Sequence, residues 1–190
     1  YVFNKKTDKK PVFEYSEFIS PDFNAQLNVF VDSKKRVWVA GVPPTYEAPY
    51  SLYIFDPDSR SLQPFKHPML DKVPVHNYMI NDIIEDRDYN IWLATSFGGV
   101  IKLDAKNNTL TQYIKSPARP DCPATHVRIV SVNEDSKGNI WMSAVDNGLF
   151  KLEPQSEAIT YFENFYSGGQ ALDHERIIST MEDKNGMIWV

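Results

Sequence analysis

A chain of 190 residues with 42% hydrophobic and 13% aromatic side chains has enough apolar mass for one substantial core. Its formal net charge of −5, with acids and bases interspersed, excludes the basic footprint of a nucleic-acid surface. The single Cys122 excludes an internal disulfide without identifying a compartment, and no apolar run approaches the ~20 residues of a membrane-spanning helix.

In chain order the sequence is a series of short apolar, aromatic or β-branched runs broken by Gly, Pro, Asn and Asp, which reads as strands and hairpins. Tyr1–Tyr15 ends with an aliphatic residue three before an aromatic, Val12/Tyr15, and that spacing returns as Leu62/Phe65, Leu110/Tyr113 and Ile159/Phe162. The segment VFVDSKKRVWVAG follows, with Asp32 six residues before Trp38. The same pair recurs in DIIEDRDYNIWLAT as Asp86/Trp92, in SVNEDSKGNIWMSA as Asp135/Trp141 and in STMEDKNGMIWV as Asp183/Trp189. After each of the first three Trp residues a further strand is predicted, at Leu52–Phe55, Val100–Leu103 and Leu149–Leu152. No stretch holds a 3.6-residue period over three turns.

Trp-to-Trp steps of 54, 49 and 48 residues show one unit copied four times, the mark of a repeat architecture. Four antiparallel strands per unit of this length describe a β-propeller blade. The expected fold is all-β, one propeller segment over residues 1–190. Residues 1–15 form an outer half-blade, about 27–65, 79–113 and 127–162 form complete blades, and 177–190 form an inner half-blade. A blade cannot bury both faces alone, so each needs neighbours. With no initiator Met and a stop in mid-strand, the sequence is expected to be an excerpt of a longer polypeptide.

The repeated Asp is expected to accept backbone N–H groups from the turn that follows it, and the Trp to anchor packing between blades with its indole N–H on a local acceptor. Gly138 and Gly186 stand where such a turn wants positive φ, whereas Lys35 and Tyr89 at the same position imply either strain or a changed turn. The carboxylate pairs Glu85/Asp86, Glu134/Asp135 and Glu182/Asp183 suggest acid/base chemistry in isolation, but their repetition points to turns, because an active site is needed once. Asp86-x-Asp88-x-Asn90 resembles the start of a calcium loop and fails at its twelfth position, Phe97, so neither a metal nor another cofactor is predicted. Asn107-Asn108-Thr109 is a glycosylation sequon in a predicted turn.

The pattern I-x-E-D-x-x-G-N-I-W-(L/M)-(A/S)-(T/A), followed by a Gly turn and G-(L/V)-x-K-L, stands at Ile83–Thr95 with Gly99–Leu103 and at Val132–Ala144 with Gly148–Leu152. It resembles the two-component regulator propeller repeat, and the likeness runs over essentially the whole chain. The copies at Asp32 and Asp183 fit less fully, the former with Lys35 where Gly is usual. The resemblance implies an extracytoplasmic, periplasmic-side sensor segment of a membrane-anchored hybrid two-component system from gut Bacteroidetes. Such a parent senses a glycan and relays the signal to a cytoplasmic histidine kinase absent from this sequence. It also implies a larger wheel, usually of about seven blades. Tyr1–Tyr15 and Ile177–Val190 could instead close a ring within one chain or pair between chains. Exposed edges would make the chain prone to association, a homodimer being the simplest case.

Candidate ligand contacts lie on one face. His126-Val127-Arg128 and His174-Glu175-Arg176 come nine to seven residues before their Asp, and His76 comes ten before Asp86, so His and Arg recur where the innermost strand starts. Convergent His and Arg offer donors for an anion or a sugar; capping of the strand start is the plainer use. Six extra residues between Trp38 and Leu52 add a loop with Tyr46 and Tyr50. That loop lies on the face of the long blade links, where binding usually resides. The candidate set is Tyr46, Tyr50, His76, Tyr78, His126, Arg128, His174 and Arg176, with a small carbohydrate as ligand and no catalytic residue. Two rival readings are a carbohydrate-active or lyase-type propeller enzyme and a protein-binding scaffold.

Overall fold

A computed structural model describes residues 28–40, 50–75, 78–96, 98–113, 127–145, 148–162, 166–167, 170–171 and 177–190. The expected outer half-blade at 1–15 lies outside them. Three four-stranded antiparallel units are present. The first is β1 (Asn28–Val31), β2 (Val37–Ala40), β3 (Leu52–Asp56) and β4 (Ser61–Pro64), paired in that order. The second is β5 (Met79–Glu85), β6 (Ile91–Ser96), β7 (Val100–Asp104) and β8 (Thr109–Tyr113). The third is β9 (Arg128–Glu134), β10 (Ile140–Val145), β11 (Leu149–Glu153) and β12 (Ala158–Phe162). A short hairpin, β13 (Tyr166–Ser167) with β14 (Gln170–Ala171), precedes a last two-stranded piece, β15 (Met181–Glu182) with β16 (Ile188–Trp189).

Register is the same from unit to unit. Each Trp faces the strand before it at a matched position, Phe30↔Trp38, Ile84↔Trp92, Asn133↔Trp141 and Met181↔Trp189. Innermost strands β5 and β9 pair with β6 and β10 through one irregularity each, Ile80/Asp82 and Ser143/Ala144. One strand-register pair, Ser96↔Arg128, joins the sheet of the second unit to that of the third.

The core lies between units, as expected of blades that cannot bury both faces alone. Trp38, Ala40 and Leu52 of the first unit pack with Ile80, Ile83, Ile91, Leu93 and Ile101 of the second. Trp92, Ala94 and Val100 of the second unit pack with Ile129, Val132, Ile140, Met142 and Leu152 of the third. Trp38 and Trp92 therefore point at the blade that follows each of them. Exposure tracks this: Trp38 and Trp92 are fully buried, Trp141 is half-buried, and Trp189 is 60% exposed.

The question of Lys35 and Tyr89 resolves in favour of strain. All four Asp turns keep one shape, with φ of 66° at Lys35, 66° at Tyr89, 85° at Gly138 and 77° at Gly186. A left-handed conformation costs an L-residue with a Cβ about 1–2 kcal/mol, and the Tyr89 side chain is 59% exposed, so it recovers little by packing. Tyr89→Gly is therefore expected to stabilise the protein by about 1 kcal/mol in urea unfolding. A loss of stability would show that the ring contributes more than its backbone costs.

Candidate functional site

Because the strands alternate in direction, the Asp turns lie on one face of the blades. The described ends of the second-to-third-strand connections and of the blade links lie on the other. Each face has its own chemistry.

On the turn face, the reason for the six-residue Asp-to-Trp spacing is a direct bond. The indole N–H of each Trp donates to Oδ2 of its Asp, at 2.9 Å for Trp38–Asp32, 2.7 Å for Trp92–Asp86, 2.8 Å for Trp141–Asp135 and 3.0 Å for Trp189–Asp183. Oδ1 accepts the backbone N–H four residues on, from Arg36, Asn90, Asn139 and Met187. Asn90 and Asn139 also donate Nδ2 to Oδ2, and Arg36 places its Nε there at 2.6 Å, a substitution that keeps the contact with a charge. Burial pushes the Asp32 carboxyl up, but the bonds from Trp38 and Arg36 and the Arg36 charge outweigh it and hold the group below the ordinary carboxylate range. Asp135 is lowered in the same way, burial being outweighed by Trp141, Asn139 and Lys137. At Asp183 the bonds from Trp189, Met187 and Asn185 lower it directly.

The Glu before each Asp has a separate task. Glu85 reaches back to the preceding blade and accepts the Ser33 backbone N–H at 2.7 Å and the Ser33 hydroxyl at 2.8 Å. Glu134 takes the Arg87 N–H at 3.0 Å and Arg87 Nε at 2.6 Å. Glu182 takes the Ser136 N–H at 2.6 Å and its hydroxyl at 2.7 Å. Thus each Glu caps the turn of the blade before it while its neighbour Asp builds the turn of its own blade. The acid pairs that suggested general acid/base chemistry are engaged as structural acceptors.

Innermost strands are bonded across blades as well. Asn28 donates to the Asn81 carbonyl at 2.7 Å, Asn81 to the Ile129 carbonyl at 2.6 Å, and Asn133 to the Thr180 carbonyl at 2.7 Å, while Asp82 accepts the Val132 N–H at 3.0 Å.

The opposite face carries three candidate ligand residues that the structure describes. Tyr50 is 38% exposed and meets Tyr53 edge-on, ring centroids 6.2 Å apart. Next to it, Ser51 ties the connection to the blade link through the Val75 carbonyl at 3.0 Å. Tyr78 lies flat on Gly98, where an added Cβ would come within 2.7 Å of the ring. Gln112 Nε2 donates to the Tyr78 hydroxyl at 3.2 Å and to the Gly98 carbonyl at 2.8 Å. Tyr78 is therefore held in place by Gly98 and Gln112. Arg128 opens β9 with an exposed side chain and pairs by backbone with Val145 and Ser96. These three occupy one face on successive blades. Tyr46, His76, His126, His174 and Arg176 lie outside the described residues. Among the described residues no group of His, Cys, Asp and Glu is arranged to hold a metal ion.

Four-stranded blades packed face to face define this chain as a β-propeller segment. Residues 74–97 match the family model described as two component regulator propeller, so the chain carries a repeat of that type. No curated protein matches it by sequence. Its fold is similar to the extracellular domain of a putative one component system from B. thetaiotaomicron, with a TM-score of 0.65, 17% identity, and 97% of this chain on 22% of that one. It is also similar to the extracellular domain of a putative hybrid two component system from the same organism, with a TM-score of 0.58, 22% identity, and 85% of this chain on 20% of that one. A virginiamycin B lyase from Staphylococcus aureus has a TM-score of 0.52, 14% identity, and 78% of this chain on 44% of that one. The chain thus spans about a fifth of the length of the first two structures.

Proposed function

We propose that this chain is a ligand-sensing propeller segment on the extracytoplasmic side of a hybrid two-component sensor. In this reading it responds to a glycan or oligosaccharide and signals to a histidine kinase encoded outside this sequence. The match of residues 74–97 to the regulator propeller repeat carries the reading. The fold shared with the extracellular domains of a putative one component system and a putative hybrid two component system supports it. So does the division of labour between faces, since the turn-face carboxylates are engaged in holding blades together. Ligand recognition then belongs to the loop face, with Tyr46, Tyr50, His76, Tyr78, His126, Arg128, His174 and Arg176 as the candidate contacts. Aromatic faces suit sugar-ring stacking, and Arg and His suit hydroxyl or carboxylate groups. Signalling requires the ligand to bind two states of the parent with different affinity.

The test is calorimetric titration of the parent receptor with a panel of oligosaccharides, paired with product analysis and a reporter of the response. Binding without turnover is expected, weakened roughly tenfold by Arg128→Ala with Arg176→Ala as two lost charged hydrogen-bond donors would do. Unchanged affinity and response in the double variant would remove this face, and product formation would favour the enzyme reading.

A further inference from the structure

Tyr89 is out of keeping with the turn it occupies. The left-handed position of the Asp turn holds Gly138 and Gly186 in two copies, Lys35 in the first blade and Tyr89 in the second. A lysine is at home there, because its ammonium is solvated. A tyrosine bears the same backbone strain and also leaves its ring in water. Tyr89 is 59% exposed, and among the described residues of the second and third blades no other large apolar side chain is so placed. Strain kept at an exposed aromatic that gains little inside its own molecule points to a use outside it.

The ring stands on a fixed base. Asp86 Oδ1 accepts the Asp88 N–H at 2.9 Å and the Asn90 N–H at 2.8 Å, and the Tyr89 N–H closes the turn on the Asp86 carbonyl at 2.9 Å. Asn90 Oδ1 accepts the Ala105 N–H at 2.9 Å, which ties this turn to the β7–β8 turn of the same blade. Arg87 fastens it to the third blade through Glu134 at 2.6 Å. An anchor held in this way loses little backbone freedom on binding.

Its surroundings specify the occupant. A turn tip projects, so the occupant must supply the concavity, which a macromolecule can do and a small ligand cannot. The exposed charges on the first three Asp turns are Lys34, Lys35, Arg87 and Lys137, against Asp88 alone. Asp32, Asp86, Asp135, Glu85 and Glu134 are engaged as acceptors within and between the blades. An exposed ring flanked by cations complements an acidic protein surface.

We propose that Tyr89 anchors a protein-docking surface on the Asp-turn face, and that its occupant is an acidic segment with an apolar socket for the ring. Lys34, Lys35 and Lys137 steer and hold the carboxylates of that segment. The surface lies opposite the loop face, so the inference is independent of what the protein senses.

The test is selection from a random peptide library displayed on phage, with the full chain as bait and the Tyr89→Gly chain as counter-bait. Glycine relieves the strain, so this variant should fold at least as well as the native chain. Recovered peptides should carry Asp and Glu beside apolar residues. They should bind Tyr89→Gly at least roughly tenfold more weakly, as expected when an anchor is lost. Tyr89→Lys, which reproduces the Lys35 turn, should lose as much, whereas Tyr89→Phe should keep binding. Lys35→Glu with Lys137→Glu should also weaken binding, by more at low salt than at high. Recovery of no peptide that distinguishes the native chain from Tyr89→Gly would overturn the proposal, as would peptides without acidic residues. Sedimentation with anionic phospholipid vesicles that depends on Tyr89 would overturn it too, by assigning the face to a membrane.

Discussion

Trp92→Ala is expected to destabilise the protein by about 3–5 kcal/mol in urea unfolding, a large share of a typical domain's stability. Trp92 is fully buried between the second and third blades, stacks on Tyr113 at 5.7 Å between centroids and has Lys102 Nζ 5.6 Å above its ring. Truncation empties a large volume between two sheets that meet mainly through side chains. It also leaves Asp86 Oδ2 without its 2.7 Å bond from the indole. Trp189→Ala is the matched control, because the same motif position is 60% exposed at the end of the array. It should cost under about 1 kcal/mol, as surface substitutions do. Similar losses at both positions would mean that the Trp acts within its own blade and that packing between blades is not its main role.

The architecture was legible because a copied unit repeats its own evidence. Three predicted third strands, Leu52–Phe55, Val100–Leu103 and Leu149–Leu152, appear with one residue more at the C-terminal end. The Asp turn was legible as an acceptor of backbone N–H groups for a physical reason: its partners are two to four residues away, within reach of turn chemistry. The indole acceptor was expected to be local, but its identity with the turn Asp was not read from the sequence. The constant six-residue spacing was the available clue, since only a fixed bond needs it in all four copies.

The Glu contacts were illegible for a different reason. Ser33 and Glu85 are 52 residues apart, Arg87 and Glu134 47, and Ser136 and Glu182 46, so nothing local marks the pairing. The only trace is a Glu before the Asp in three copies and Val31 in the first. Among site candidates, Tyr50, Tyr78 and Arg128 stand on one face of the blades, which strand direction alone decides. The packing of Tyr78 on Gly98 was not legible, because Gly98 has no side chain and sits 20 residues on in a different connection.

Asp135→Ala should be the most damaging polar substitution, at about 2–4 kcal/mol at neutral pH, because one buried carboxylate satisfies four donors. These are the Lys137 N–H at 2.9 Å and the Asn139 N–H, Asn139 Nδ2 and Trp141 Nε1, each at 2.8 Å. Alanine leaves the indole donor without its acceptor and frees the turn whose Asp135 and Ser136 carbonyls accept from the Arg87 guanidinium. The loss should also depend on pH with a definite sign. Burial raises the carboxyl of Asp135, but the hydrogen bonds prevail and its value in the folded state lies below the 3.8 of a free Asp. Its contribution is therefore fully present above about 3.8 and disappears as pH falls through the lower folded value. Urea unfolding of native protein and variant should give a wide stability gap at pH 7 that narrows once the pH drops below 3.8. A gap of constant width down the acid limb would mean that the carboxylate charge is not what holds the turn, leaving side-chain shape and the neutral hydrogen bonds as the cause.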